Sequence, residues 1–387
     1  MTNNGTGRRA GRGRGILLLA CLMGWSTVLP AQYSSNSLYS LYGIGDLTSP
    51  GSARQKAMGG AGIALKSTGG VNLTNPASLT EYGTHDVIFD IGLTGYYGRY
   101  LSRGDTEDAV DFTLDQFSLG FPVTRWWGGS IGVRPYSTVG YDILTTSQYE
   151  GSQEEVDTEF VGTGGVTQFY MAHAIKLFQR LSLGANVSYL MGSIDQTEVS
   201  HLNAVGFYDV ETRNSYFLHN FNVEFGMQYE QKLGPVQLNL GATYSPAQTL
   251  SSRYSHRITV ELEETTTLVD ETGRTATFDL PEKFGLGLAL SLGERIALTG
   301  DYSLQEWTGE ADLLDVASFT DRSSYRAGLE FVPNPEGRSY MSRVAYRAGA
   351  YHKNSYIQIR DQQITDYGVT LGLGLPPQAK NTDQFQP

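Results

Sequence analysis

Along most of this chain, hydrophobic residues alternate with small or polar ones at a period of two. Leu183, Ala185, Val187, Tyr189 and Met191 share one face of an extended segment, with Ser182, Gly184, Asn186 and Ser188 on the other. Phe221, Val223, Phe225, Met227 and Tyr229 alternate with Asn222, Glu224, Gly226 and Gln228, and Leu238, Leu240, Ala242 and Tyr244 alternate with Gln237, Asn239, Gly241 and Thr243. A water-soluble barrel has an apolar interior and a charged exterior. Here the polar set is small and mostly uncharged and the apolar set is rich in aromatics, which suits a lipid-facing wall with aromatic girdles. The pattern predicts an all-β fold, a transmembrane antiparallel up-and-down β-barrel of about twelve strands between residues 84 and 377.

The connections between these segments alternate in length. Short ones such as Gln231–Pro235 and Gly293–Glu294 carry turn residues, whereas long ones are expected at Leu101–Val110, Asp142–Glu159, Asp195–Arg213, Gln248–Thr275, Glu306–Arg322 and Lys353–Gln363. Outer-membrane barrels show this asymmetry, with short turns on the periplasmic side and long loops outside. The acidic runs in the long loops, such as Glu261–Glu264, read as solvated surface.

Residues 1–32 read as an export signal. Arg8, Arg9, Arg12 and Arg14 precede the apolar stretch Ile16–Leu22, and Val28–Ala31 supplies a cleavage context before Gln32. That stretch is too short to cross a bilayer as a helix, which needs roughly 20 apolar residues. The single cysteine, Cys21, lies within this signal; Leu18-Leu19-Ala20-Cys21 has the form of a lipoprotein box, but apolar residues continue past it and lipidation is the less favoured reading.

Composition agrees with a membrane β-protein: 40% of residues are hydrophobic, and the chain holds 46 Gly, 24 Tyr and 16 Phe. The formal charge of −12 becomes more negative once the four signal arginines are removed, which disfavours nucleic acid as a partner. The six histidines have no metal-site spacing, and no nucleophile or acid–base motif is recognisable, so no enzyme, metal or cofactor is expected.

Residues 33–83 lack the alternation and are rich in small residues, which marks them as a lumen-filling or periplasmic segment. The glycines in Ala57-Met58-Gly59-Gly60-Ala61-Gly62 permit close packing and positive φ; the run lacks the context of a nucleotide loop. Pro76 fixes its own backbone and biases Asn75 toward extended geometry, as a sharp exit from plug to wall requires, or as a plain turn would.

Three stretches here, Tyr42–Asp46, Arg54–Gly62 and Asn75-Pro76-Ala77-Ser78-Leu79, resemble the start of the FadL/TodX family of outer-membrane channels for long-chain fatty acids and hydrocarbons, in particular its Bacteroidetes-type relatives. The sharp matches are confined to roughly the first 50 mature residues. The resemblance implies a fourteen-stranded barrel plugged by an N-terminal hatch, with Arg54, Met58, Gly59, Gly60, Gly62, Asn75, Pro76 and Ala77 as hatch and gate residues. About twelve strands are legible, and residues 378–387 form a polar tail without the terminal aromatic residue that the family implies. Closure at twelve strands and truncation before two more are both open, with truncation favoured.

Asp90, Arg134, Glu224, Asp301, Arg343 and Arg347 fall on or near the face opposite the apolar positions and are expected in the lumen, paired with one another or with the hatch, or contacting a ligand. The first functional expectation is a hatch-gated outer-membrane channel for passive uptake of hydrophobic or amphipathic small molecules, with membrane lipid around it. The alternative is a FadL-fold barrel serving as a structural or protein-secretion component, PorV-like as in type IX secretion, with a protein partner.

Overall fold

The computed structural model describes residues 37–376 except 68, 83–86, 103–104, 149–154, 203–207, 262–264 and 310–317. The expected signal peptide, Cys21 and the polar tail 378–387 lie outside the described residues.

The chain forms one 16-stranded antiparallel sheet, strongly curled. A two-residue strand β1 (Asp46–Leu47) belongs to the N-terminal segment. The wall follows with β2 (Ile88–Ser102), β3 (Asp105–Thr124), β4 (Trp127–Gln148), β5 (Glu155–Leu177), β6 (Leu181–Leu202), β7 (Val210–Leu233), β8 (Val236–Ser245), β9 (Gln248–Glu261), β10 (Thr265–Leu280), β11 (Lys283–Leu292), β12 (Ile296–Gln305), β13 (Ser318–Phe319), β14 (Arg322–Phe331), β15 (Ala345–Ile359) and β16 (Gln362–Gly374).

β7 pairs with β8 through its C-terminal half and with β9 through its N-terminal half, so β8 and β9 are two halves of one path across the wall. β10 and β11 are likewise two halves, since β10 pairs with β9 and β11 with β8. The interruptions fall at Pro246 and Pro281, which lie at the same level of the sheet. Proline has no N–H to give the ladder, so both strands break there together. Counted as paths, the described wall has twelve transverse strands, the number legible in the alternation.

The pleat places the residues as the pattern demands. Leu183, Val187, Phe221, Phe225, Leu240, Leu288 and Leu298 are exposed on the outside, while Ser182, Asn186, Asn222, Gln228, Asn239 and Thr299 are buried inside.

The expected long loops are the main correction. Strand pairing continues far past the apolar band: Gln248–Thr275 is almost all β-hairpin, with Glu261 opposite Thr265. Lys353–Gln363 is the top of a hairpin whose two-residue turn, Arg360-Asp361, has φ of 49° and 62°, as a type I′ turn requires. Once both faces of a hairpin meet water, side-chain alternation disappears while backbone pairing persists. The segment beginning at Tyr340 is also corrected: a one-turn helix, α2 (Tyr340–Arg343), precedes β15, so Arg343 sits in the turn below the wall and not on a strand.

The N-terminal segment fills the lumen. A 3-10 turn (Leu38–Leu41) and β1 run along β4, with Asp46 opposite Thr138 and Leu47 opposite Ser137. Helix α1 (Ala53–Ala57) follows, then a 3-10 turn (Pro76–Glu81) packed on β5 and β6.

β2 and β16 are the free edges of the sheet; among the described residues no pairing joins them.

Candidate functional site: the plug and its anchors

The plug holds its shape through buried amides. Gln55 Oε1 accepts from the Ser52 N–H at 2.7 Å, closing the first turn of α1. Asn72 Nδ2 donates to the carbonyls of Gly62 (2.8 Å) and Leu65 (3.0 Å), while its Oδ1 accepts from Thr74 N and from Gln55 Nε2. Asn75 Oδ1 accepts from Ala77 N at 3.0 Å and caps the 3-10 turn that Pro76 begins, while its Nδ2 donates to Ile63 O (2.8 Å) and to Met227 O of β7 (3.1 Å). The Asn-Pro-Ala motif is thus a cap tied to the wall. Wall glycines make room for it: a Cβ on Gly226 would fall 2.1 Å from Asn75 Oδ1, and one on Gly184 would fall 2.5 Å from Ala77 N.

Charged groups then fasten the plug to the wall in several directions. Arg54 grips Glu330 of β14 with both oxygens engaged, Nη2 to Oε1 at 2.7 Å and Nε to Oε2 at 2.9 Å, and Arg347 of β15 donates to the same Oε2 at 2.6 Å. Lys66 bridges Glu81 (3.0 Å) and Glu230 of β7 (2.5 Å), and Lys176 of β5 reaches Glu81 at 3.1 Å. Burial alone would lower the Lys66 pKa, but its two carboxylates hold it above the ordinary lysine value. Burial would raise Glu81, and Lys66 and Lys176 together bring it below its ordinary value.

Carboxylates of the wall also hold the plug's backbone: Asp301 Oδ2 accepts the N–H groups of Gly62 (2.6 Å) and Ile63 (2.9 Å), and Asp90 Oδ2 accepts that of Val71 (2.9 Å). Lys56 meets Asp115 at 2.5 Å and Thr94 at 3.0 Å. Asp115 is the extra residue of a β-bulge, where Gly92 faces Gln116 and Leu93 faces Leu114. A bulge re-aims a side chain, here inward to the plug. Gly59 has φ +69°, and a Cβ there would lie 2.4 Å from Ala350 O; its N–H reaches Thr370 of β16 at 2.9 Å.

Above this level lies a buried cluster rich in aromatic and aliphatic side chains. Trp307, fully buried, stacks on Tyr356 with centroids 4.4 Å apart and meets Phe319 edge-on at 5.7 Å. Ile44 of the plug packs here with Leu190, Ile194, Leu218 and Leu250 of the wall, and the Tyr356 hydroxyl donates to Gly45 O at 2.8 Å. The lumen is therefore filled at two levels, ionic toward the short-turn end and aromatic toward the long hairpins.

The residues singled out from sequence fall as follows. Arg54, Gly59, Gly62, Asn75, Pro76 and Ala77 make the contacts above. Met58 is buried with Ala64, Leu65 and Ala289, and Gly60 has φ +80° beside the Arg326 side chain. Asp90, Asp301 and Arg347 face inward and hold plug or plug partner. Arg134 is buried inside β4, and Glu224 lies 3.5 Å from Lys283; neither touches the plug in any contact given above. Arg343 lies below the wall, with its guanidinium 5.9 Å from the Tyr340 ring centroid. Lys56, Lys66, Glu81, Asp115, Glu230 and Glu330 were not singled out. Glu330 was within reach of the alternation, since its neighbours Leu329 and Phe331 both point to lipid; the lysines lie in a segment with no period to read.

No curated protein matches the chain. Its fold is similar to that of a Pseudomonas aeruginosa FadL homologue, with TM-score 0.54 and 13% identity over 88% of each chain. It is also similar to the Ralstonia pickettii toluene transporter TbuX, with TM-score 0.51 and 14% identity over 83% of this chain and 89% of that one. The fold is FadL-like and mostly β. The BamG family model matches residues 14–384, nearly the whole sequence, and the chain belongs to the BamG family.

Proposed function

We propose that this protein is an outer-membrane barrel that acts as a sealed structural or protein-handling component, and not as a conduit. The observation that carries the reading is the double filling of the lumen. A gate must move by breaking few contacts. Here release of the plug means separating the Arg54–Glu330–Arg347 and Lys66–Glu81–Glu230 groups in a partly dry interior, and also opening the Trp307–Tyr356 stack above them. An apolar cargo finds the upper lumen occupied by the protein's own aromatic side chains.

A passive channel for hydrophobic or amphipathic molecules is the second reading, favoured by the similarity of fold to TbuX. Proteoliposomes separate the two. The sealed component passes neither a long-chain fatty acid nor a small sugar faster than protein-free liposomes, and it leaves its native membrane in mild detergent as a stoichiometric complex with another membrane protein. Saturable fatty-acid uptake by the isolated protein would establish the channel instead.

A further inference from the structure

The edges β2 and β16 lie on either side of a seam. β2 begins at the short-turn end and β16 finishes there, so they run antiparallel, yet they share no ladder among the described residues. The lipid-facing residues flanking the seam are barer than those of fully flanked strands: Leu93 is 77% exposed and Leu371 84%, against 45% for Leu240 and Leu288. At membrane depth no water completes an open edge, and a lipid tail offers neither donor nor acceptor, so only another backbone can do so.

From the lumen side the seam is backed by α1. Lys56 reaches Thr94 of β2 and Asp115 of β3, while Thr370 of β16 accepts from Gly59 N and donates to Ala57 O, both at 2.9 Å. The plug thus bears on both edges and leaves their outer flank open.

At the short-turn end the seam runs into a cavity of about 410 Å³ that reaches both edges, from Asp90 of β2 to Gly374 of β16. Arg54, Arg343 and Arg347 line it. Arg54 and Arg347 share the single carboxylate of Glu330, and Asp90 is engaged by the Val71 N–H. Arg343 Nε is buried without a hydrogen-bond partner among the described residues. The cavity is therefore a cationic socket at the foot of an unpaired strand edge.

We propose that the seam docks an extended β-strand of another membrane protein. The strand runs antiparallel to β2, toward the short-turn end, with alternate apolar residues facing lipid and a carboxylate seated at Arg343 and Arg347. Edge pairing supplies the affinity and the socket sets direction and register. The inference deepens the reading of a protein-handling barrel and rests on it.

The probe is a ten-residue peptide alternating Val and Thr, with a photoreactive group at its centre, added to the purified full chain in lipid nanodiscs. Three forms are compared: a free C-terminal carboxylate, a C-terminal amide, and an amide with Glu as the last residue. Expected are crosslinks to β2 and β16, at least tenfold tighter binding of both carboxylate forms than of the plain amide, and loss of most of that preference in Arg343→Gln, whose site in a turn leaves the wall intact. A disulfide across the seam, sought by pairing Leu93→Cys with Val369→Cys or Leu371→Cys, should abolish binding when oxidised.

Equal affinity for carboxylate and amide, binding indifferent to the oxidised seam, or crosslinks only to a second copy of this chain would each overturn the proposal. The liposome assay remains separate. A peptide that fails to bind a barrel that passes no solute removes the seam alone; solute flux through a barrel that binds the peptide removes the sealed reading alone.

Discussion

Glu330 joins Arg54 of the plug to Arg347 of the wall, accepting from one at 2.7 and 2.9 Å and from the other at 2.6 Å. Its removal leaves two guanidiniums facing one another in a site where all three side chains are at most one-fifth exposed. Glu330→Gln should loosen α1 by about 2–3 kcal/mol, less than the roughly 3–5 of a fully buried pair because the site is partly wet. Limited proteolysis around residues 53–66 reads this out. Unchanged cleavage would remove Glu330 from the anchoring role.

Asp301→Ala should orphan two buried donors, the N–H groups of Gly62 and Ile63, at about 1–3 kcal/mol each. Hydrogen exchange at these two amides is the measurement, with acceleration expected there first.

Gly59→Ala meets both a positive φ and the carbonyl of Ala350 at 2.4 Å. The left-handed conformation alone costs about 1–2 kcal/mol for an alanine, and the clash adds a displacement. Thr370 should lose its bond to the Gly59 N–H, and a cysteine at position 57 should become labelled faster than in the parent chain.

The Lys66–Glu81 group gives the plug a pH dependence. Glu81, with its pKa lowered in the fold, stabilises fully above the ordinary glutamate value and loses that contribution as pH falls through its depressed one. Lys66, with its pKa raised, contributes fully below the ordinary lysine value and loses it only as pH rises through its elevated one. Anchoring should therefore hold across neutral pH and weaken on acidification below the glutamate range. Glu81→Gln should flatten the acid limb in proteolysis of residues 37–82; an unchanged limb would assign it to other carboxylates.

How much of this was legible in the sequence follows from what alternation measures. It reports a strand with two unlike environments, so Leu183 beside Ser182 and Leu240 beside Asn239 disclosed the wall, its inward face and its twelve paths. It could not follow the hairpins beyond the bilayer, where both faces of the tip-side part of the β9–β10 hairpin, from Thr265 to Arg274, are largely exposed and the pattern lapses although pairing continues. The glycine-rich segment and Asn75-Pro76-Ala77 marked a plug, because glycine and proline constrain the backbone locally.

The plug's partners were beyond that reach. Arg54 and Glu330 are 276 residues apart and Gly62 and Asp301 are 239 apart, and nothing in either neighbourhood specifies the other. Such pairs exist only because the curled sheet brings distant strands around one short segment. The same curvature sets β2 beside β16 without joining them. The sequence by itself determined a lipid-facing β wall and a segment to fill it, since those depend on period and local backbone preference. The tertiary structure alone decided how tightly the filling is fastened and where the wall stays open, since both depend on contacts across the barrel.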